Sequence, residues 1–297
     1  MNTDELLHDI KKLKIERNMK IASLDITDMY PSMTWDIIEP KLIKLNVEPE
    51  IINLIEFAYK SNYFEYEGNY YTQEEGISMG SVIGPKLAEI VMIDIDEKIN
   101  NIHGINFYKR YVDDIIIIYD TSIITIDKIN TLINNIHNNI KFKIEEEDSI
   151  HNNINYLDIT IKRNINNLEF EPFKKPCAIT KTINYSSQIP LYIKQNVFIM
   201  EYKKIKSRTS KPENVQKHLN NLKKKFILDG YPIRLINTWE TQIEKSTYEK
   251  QIQEIKNQDI KYKSFPYIKG LYEEINKEMR KIKVGTKISK IAITNNK

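Results

Sequence analysis

An apolar segment interrupted by two adjacent aspartates constrains this sequence more than any other feature. Residues 107–112 and 115–119 predict the two strands of a hairpin, and Asp113-Asp114 would form its tip. A lone Asp-Asp pair is typical of an ordinary turn. Carboxylates at the end of apolar strands are nevertheless costly unless water or a metal ion contacts them. We therefore interpret the pair either as a solvated turn or as part of a charged site.

A second aspartate lies at the end of another predicted strand, residues 20–26. Ala22, Leu24 and Ile26 share one face of it and are expected to be buried, while Asp25 lies on the other face. If the two segments are sheet neighbours, three carboxylates meet and repel one another unless cations lie among them. Mg²⁺ prefers such oxygen ligands. Two such ions about 4 Å apart stabilise both oxygens of an in-line phosphoryl displacement, so nucleotidyl transfer is the expected chemistry.

The remaining pattern predicts a mixed α+β chain. Helices are expected at 34–45, 48–59, 85–99 and 127–139, a hairpin at 64–71, strands at 142–145, 156–162 and 168–173, and mostly helices from 194 to about 281. Residues 76–85 hold three of the 8 glycines, which indicates a loop whose backbone comes close to another group.

The net charge of +3 hides an uneven distribution. Acidic residues concentrate before about residue 175, whereas residues 202–226 carry nine Lys and Arg side chains against Glu213 alone. Such a basic run is either a solvated helix face or a nucleic-acid contact. A single cysteine, Cys177, excludes an internal disulfide and a thiolate zinc cluster within one chain. No apolar segment approaches the roughly 20 residues that span a bilayer, and no signal peptide is evident. We expect an intracellular protein, in the nucleus or cytoplasm, with no membrane partner.

The segments LDITDMY, QEEGISMGSVIGP and YVDD occur in the order and at the spacing of reverse-transcriptase motifs A, B and C. The sequence thus resembles reverse transcriptases, from about residue 20 to about residue 290. It is most similar to those of Penelope-like retroelements, through YYTQEEGISMGSVIGPKLAEIVM, INYLDITIKR, DGYP and SFPYIKGLYEEINKEMRK.

The resemblance implies a palm with an antiparallel sheet, packed helices and partial fingers at 1–180, a helical thumb-like region at 181–240 and a helical C-terminal connector at 241–297. It also implies that Asp25, Asp113, Asp114 and the backbone carbonyl of Ile26 bind two Mg²⁺ ions, or Mn²⁺ in their place. Tyr30 falls at the steric gate that selects deoxynucleotides; the alternative is a core aromatic that ends a strand.

Other roles follow from the same resemblance. Gln73, Gly80 and Ser81 would contact the nucleotide and template, whereas Gly76 and Gly84 could equally be plain turn residues. Arg110 would contact primer phosphate or pair with a nearby acid. Lys143 is either the motif D general acid or an ordinary exposed lysine. Nucleic-acid contacts are expected from the thumb-like region, at Lys203, Lys204, Arg208 and Lys211.

The sequence also departs from the pattern, because only 24 residues precede Asp25 and most of the fingers is missing. A fingers or nuclease segment could then be supplied separately. The expected function is an RNA-directed DNA polymerase core, a fragment of a retroelement, that adds dNTPs to a primer on an RNA or DNA template. The alternatives are a catalytically inactive nucleic-acid-binding remnant and an RNA polymerase that copies RNA.

Overall fold

The computed structural model describes residues 3–165, 167–175, 182–257, 261–266, 274–275, 277–278 and 284–289. The chain divides into two compact units. One comprises Met1–Thr180 and Glu201–Leu222, and the other comprises Lys181–Met200 and Lys223–Lys297. Cys177 lies outside the described residues.

The helices and strands follow one another in the order α1 (Thr3–Ile10), β1 (Met19–Thr27), α2 (Trp35–Lys44), α3 (Pro49–Lys60), β2 (Tyr63–Tyr66), β3 (Asn69–Thr72), α4 (Gly84–Asn100), β4 (Ile105–Tyr111), β5 (Asp114–Asp120), α5 (Ile126–Asn134), β6 (Lys141–Glu146), β7 (Asn153–Tyr156), β8 (Ile159–Arg163), β9 (Leu168–Pro172), α6 (Leu191–Arg208), α7 (Pro212–Leu228), α8 (Ile233–Asn257), β10 (Lys261–Pro266) and β11 (Val284–Ser289). The expected α+β class is confirmed, with an antiparallel sheet and packed helices.

A four-stranded antiparallel sheet in the order β4-β5-β1-β6 forms the centre of the first unit. Its central strands are buried on both faces. Leu24 and Ile117 belong to a hydrophobic cluster that includes residues of α2, α4 and α5. Ile21 and Ile116 belong to a second cluster, which includes residues of α1 and of the sheet β7-β8-β9. The prediction that Ala22, Leu24 and Ile26 are buried on one face is confirmed.

The sheet β7-β8-β9 differs from the sequence prediction. The predicted single strand at 156–162 is instead the end of β7, a turn at Leu157-Asp158, and β8. Leu157 has a φ of 52°, the left-handed conformation that lets the chain reverse there. No glycine, proline or Asn-Gly pair marks this turn in the sequence, so the apolar alternation alone predicted a continuous strand.

The second unit contains a cluster of aromatic side chains. Phe198 and Phe226 meet edge to face with their ring centroids 5.1 Å apart, and Tyr231 lies 4.9 Å from Phe226 and 5.8 Å from Trp239. Phe198 and Phe226 are fully buried, as expected for helix-core residues. Within the described residues, no helix is long and apolar enough to cross a membrane.

The C-terminal part of the chain differs from the helical expectation. β10 and β11 pair in parallel there. Their sequences, KYKSFP and VGTKIS, are rich in aromatic and β-branched residues, which favour strands.

Candidate active site

The register of the central sheet brings the predicted acidic residues together. Asp25 on β1 lies opposite Asp114 on β5, and Asp114 lies opposite Tyr111 on β4. On its other side Asp25 lies opposite Lys143 on β6. Residues directly opposite each other in antiparallel strands point to the same face. Tyr111, Asp114, Asp25 and Lys143 therefore form one row across the four strands, which we call the aspartate row.

This row lies on the sheet face that the second hydrophobic cluster covers further along the strands. Asp25 points to the same face of β1 as Ile21 and Ser23, and Asp114 points to the same face of β5 as Ile116 and Ile118. The buried part of each strand thus fixes which way its aspartate points. A shift of the register by one residue would move Ile116 and Ile118 from the second cluster to the first and turn Asp114 to the other face, so packing specifies the position of the carboxylates.

The three carboxylates interact electrostatically. Asp25 and Asp113 are exposed and Asp114 is half-buried. Burial raises the pKa of Asp114 above its ordinary value, and the charges of Asp113 and Asp25 raise it further. Lys175 acts in the opposite direction. The site therefore contains negative charge that the chain offsets only in part.

The donor chemistry of the site fits a hard divalent cation. Its carboxylate oxygens, which Mg²⁺ prefers, lie next to one another on adjacent strands and the hairpin tip. Within the described part of the chain, no three His, Cys, Asp or Glu side chains are arranged so that they could hold a metal ion as they stand. Asp25 and Asp113 are exposed, so their side chains have room to rotate toward an ion.

The tip of the β4–β5 hairpin is Val112-Asp113 and not the predicted Asp113-Asp114, because Asp114 begins β5. Its backbone conformation is unusual. Val112, which immediately precedes Asp113, has a φ of 56°. This left-handed conformation costs an L-residue about 1–2 kcal/mol, and it is a marked outlier for a β-branched side chain. Val112 is also exposed, so packing of its side chain does not compensate.

Arg110 pairs with acids, as in one of the two alternatives from the sequence. Its side chain is only 8% exposed. Its Nε donates to Asp96 Oδ1 at 2.8 Å, and Nη2 lies 3.1 Å from Glu89 Oε2. Both acids belong to α4, so β4 and α4 are joined by ion pairs next to the tip.

The glycine loop contacts the segment that follows β1. The Ile77 amide donates to the carbonyl oxygen of Tyr30 at 2.8 Å. A Cβ on Gly76 would overlap the Pro31 carbonyl oxygen and lie 2.6 Å from Pro31 Cα. One on Gly84 would lie 2.8 Å from Ile77 Cγ2 and 3.6 Å from the Tyr30 ring. Gly76 and Gly84 are therefore sites of close approach rather than plain turn residues.

Tyr30 itself is half-buried and packs against the first hydrophobic cluster. The packing of Tyr30 is what a core aromatic would show. Its partial exposure is what a steric gate would need. Ile26, next to Asp25, buries its side chain in the same cluster.

The exposed part of the glycine loop lies around Gly80. Gly80 has a φ of +97°, and among the described residues other than its chain neighbours no atom lies within 4 Å of the position of a Cβ, so the space on that side is open. Ser81 is half-buried beside it. The neighbouring apolar side chains, Met79 and Val82, are 84% and 95% exposed. Gln73 is half-buried, and its amide donates to the Glu75 carbonyl at 2.8 Å.

The basic residues predicted to bind nucleic acid fall into two groups. Lys203 and Lys204 are exposed on α6. Lys211 is exposed and pairs with Glu169 at 3.0 Å. Arg208 is buried and forms an ion pair with Asp158 in the β7–β8 turn. Arg208 therefore anchors the end of α6 to that turn.

One buried residue at the site was not found from the sequence. The hydroxyl of Tyr156 donates to the backbone carbonyl of Asp114 at 2.9 Å, and Tyr156 is only 3% exposed. Burial and the Asp114 charge raise the pKa of Tyr156, so its hydroxyl stays protonated and can donate. In the single strand predicted at 156–162, Tyr156 shares a face with Asp158, Thr160 and Lys162, so neither its burial nor this contact could be predicted from the sequence.

Two family models match parts of the sequence. Residues 2–161 match the family model described as "Reverse transcriptase (RNA-dependent DNA polymerase)". Residues 182–240 match an "Animal helix-turn-helix domain" model. No curated protein matches the sequence significantly.

Solved structures of telomerases resemble the fold. Telomerase from Candida albicans, solved with a TWJ fragment of telomeric RNA, has a TM-score of 0.52 at 13% identity, over 82% of this chain and 43% of that one. Apo telomerase from Candida tropicalis has a TM-score of 0.47 at 12% identity, over 82% of this chain and 45% of that one. The chain thus spans less than half the length of these telomerases.

Proposed function

Because the chain belongs to the reverse transcriptase (RNA-dependent DNA polymerase) family, we propose that it is an RNA-directed DNA polymerase core that extends a primer with dNTPs on an RNA or DNA template. The observation that carries the proposal is the aspartate row, in which Asp25 and Asp114 are register partners on adjacent strands. Asp113 lies at the hairpin tip beside them.

We assign the metal-binding role to Asp25, Asp113 and Asp114, with the backbone carbonyl of Ile26. Two Mg²⁺ ions, or Mn²⁺, would supply Lewis-acid stabilisation of the attacking and leaving oxygens of the phosphoryl transfer. The three carboxylates would bind and position these two ions. The raised pKa of Asp114 supports this assignment, because its charged form lacks full compensation within the chain.

We assign nucleotide selection to Tyr30 and the glycine loop. Tyr30 would exclude a 2′-hydroxyl with the exposed part of its ring, while Gly80 and Ser81 face the base pair and Gln73 supports the loop. The open space beside Gly80 supports this role, since a bound base pair could approach its backbone closely. Lys143 lies opposite Asp25 and is exposed, which makes it the candidate proton donor to pyrophosphate.

We assign contacts with the template-primer duplex to Lys203, Lys204 and Lys211, and a supporting role to Arg208. The exposed lysines would bind phosphates by charge. Arg208 acts indirectly, because its ion pair with Asp158 fixes the helix that carries Lys203 and Lys204. The RNA-bound state of the Candida albicans telomerase is consistent with an RNA partner.

The finer origin that we propose is a Penelope-like retroelement. The motifs that carry this proposal lie both in the matched family region and beyond it, in DGYP and SFPYIKGLYEEINKEMRK. A separate fingers or nuclease segment would complete such an enzyme.

A catalytically inactive nucleic-acid-binding remnant is the second candidate. The match of residues 182–240 to a helix-turn-helix model favours it, together with the basic run at 202–226. Helix-turn-helix domains bind nucleic acid without any catalytic centre.

Primer extension distinguishes the two candidates. The purified chain is given Mg²⁺, dNTPs and a DNA primer annealed to an RNA template, and duplex affinity is measured in parallel. Asp113→Asn and Asp114→Asn should abolish extension and leave duplex affinity unchanged. Asp120→Asn, at the opposite end of the same strand, is the matched control and should retain activity. Duplex binding without extension by the unsubstituted chain favours the inactive remnant instead.

A further inference from the structure

We propose that Arg110 and Tyr156 are positioning residues that hold the segment Val112–Asp114 in its bent conformation and so set the place of the catalytic carboxylates. The proposal rests on the proposed function, since it concerns the same site. It assigns a role to two buried side chains that do not themselves face the substrate.

Asp114 is held by its pairing with Asp25 and Tyr111 in the sheet, whereas Val112 and Asp113 lie in the turn before β5. Val112 has a left-handed backbone conformation and an exposed side chain. The side chain of Asp113 is exposed as well, so packing does not hold it. The direction in which Asp113 points therefore depends on the backbone of the tip.

Arg110 holds the first residue of the segment. Its Nη1 donates to the backbone carbonyl of Val112 at 2.8 Å. The same guanidinium donates to both oxygens of Asp96, through Nε at 2.8 Å and 3.1 Å and through Nη2 at 2.8 Å. It also contacts Glu89. The planar guanidinium has donors in a rigid fork, so binding two acids of α4 leaves Nη1 aimed at the tip.

Asp96 is itself fixed. The hydroxyl of Tyr108 donates to Asp96 Oδ1 at 2.5 Å. The Val112 carbonyl is thereby connected through Arg110 and Asp96 to helix α4, which packs into the first hydrophobic cluster through Val91, Met92 and Ile95.

Tyr156 holds the last residue of the segment from another element. Its hydroxyl donates to the Asp114 carbonyl at 2.9 Å, and its ring is buried in the second hydrophobic cluster. The segment is thus fixed at both ends, from α4 on one side and from β7 on the other. A hydrogen bond between buried, rigid groups loses little motion when it forms and so maintains a strained conformation well.

Each positioning residue has a matched control elsewhere in the same unit. Tyr119 is equally buried, and its hydroxyl also donates to an acceptor, Glu146, but at the other end of β5. Arg163 forms a comparable fork with Glu147, away from the tip. Tyr156→Phe is therefore compared with Tyr119→Phe, and Arg110→Lys with Arg163→Lys.

Two measurements are made on the full chain with each variant. One is the split between kcat and KM for dNTP in primer extension, and the other is Mn²⁺ affinity from the electron paramagnetic resonance signal of free Mn²⁺. Tyr156→Phe and Arg110→Lys should lower kcat about tenfold or more, as expected for misplaced catalytic groups, with little change in KM. They should also weaken Mn²⁺ binding several-fold. The control variants should lower only the thermal midpoint.

Equal effects of the tip variants and their controls on kcat and on Mn²⁺ affinity would overturn the proposal, because loss of stability alone would then explain them. Failure of the proposed function has a different signature. In that case the unsubstituted chain neither extends a primer nor binds Mn²⁺ more tightly than Asp113→Asn does.

Discussion

Replacing Gly76 with alanine tests whether the glycine loop and the segment after β1 form one unit. Gly76 is buried and has a φ of +79°. A left-handed conformation costs a non-glycine residue about 1–2 kcal/mol. The added Cβ would also overlap the Pro31 carbonyl oxygen and lie 2.6 Å from Pro31 Cα. These are backbone atoms, which cannot move aside by rotating a side chain.

Overpacking of this kind costs about 1–3 kcal/mol, so Gly76→Ala should lose roughly 2–5 kcal/mol of stability in total. Gly80→Ala is the matched control within the same loop. Gly80 also has a positive φ, but nothing lies within 4 Å of its Cβ position. It should lose only the backbone cost, about 1–2 kcal/mol.

The assay is denaturant unfolding of the two variants beside the unsubstituted chain, followed by primer extension under folding conditions. Because Ile77 donates to the Tyr30 carbonyl, a displaced loop should move Tyr30 and raise KM for dNTP. If Gly76→Ala proves as stable as Gly80→Ala, the claim that the loop lies close to the Pro31 backbone is wrong. A stable Gly76→Ala chain with unchanged KM would likewise refute the link to Tyr30.

Three further predictions concern selectivity, pH and salt. Tyr30→Ala should raise the use of ribonucleotides relative to deoxynucleotides by about tenfold or more, measured as the ratio of kcat/KM values; an unchanged ratio assigns Tyr30 to the core alone. Hydrogen bonds from Lys41 and Lys44 lower the pKa of Asp94, so its contribution to stability is present at neutral pH and is lost as the pH falls below the unfolded value of about 4. Asp94→Asn should therefore lower the free energy of unfolding by about 0.5–1 kcal/mol at pH 7 and by less at pH 3, measured by denaturant unfolding at both pH values. The double variant Lys203→Ala/Lys204→Ala should lower the slope of log affinity for duplex against log salt concentration by about 0.9 for each phosphate that it no longer neutralises, whereas an unchanged slope places the duplex elsewhere.

Much of the site could be predicted from the sequence because strand ends are local features. Apolar alternation located β1 and a continuous apolar run located β5, and Asp25, Asp113 and Asp114 lie at or next to their ends. In β1 the alternation also indicated which face carries Asp25. The register between strands is not a local property, because it depends on packing across the sheet. For that reason the position of Lys143 opposite Asp25 was visible only in the structure.

The basic run and Tyr156 show a second limit of the sequence. Arg208 and Lys203 belong to one basic run, yet Arg208 is buried against Asp158 and Lys203 is exposed. A count of charges cannot distinguish a buried, ion-paired base from an exposed one. The contact of Tyr156 likewise depends on the folded chain. Its hydroxyl donates to the Asp114 carbonyl, in a chain where a turn at Leu157-Asp158 folds β8 back along β7.

Several features of the hairpin tip lower the stability of the fold, and they help to decide between an enzyme and an inactive remnant. Val112 has a strained backbone, Asp114 is half-buried with a raised pKa, and Asp25 adds a third negative charge. Each feature lowers stability, and none is needed to build the hydrophobic clusters on the two faces of the sheet. Local features that oppose folding yet are held in place by buried hydrogen bonds are typical of functional sites. A binding remnant would need only the basic helices. The fixed strain at Val112–Asp114 therefore favours a catalytic role for the tip.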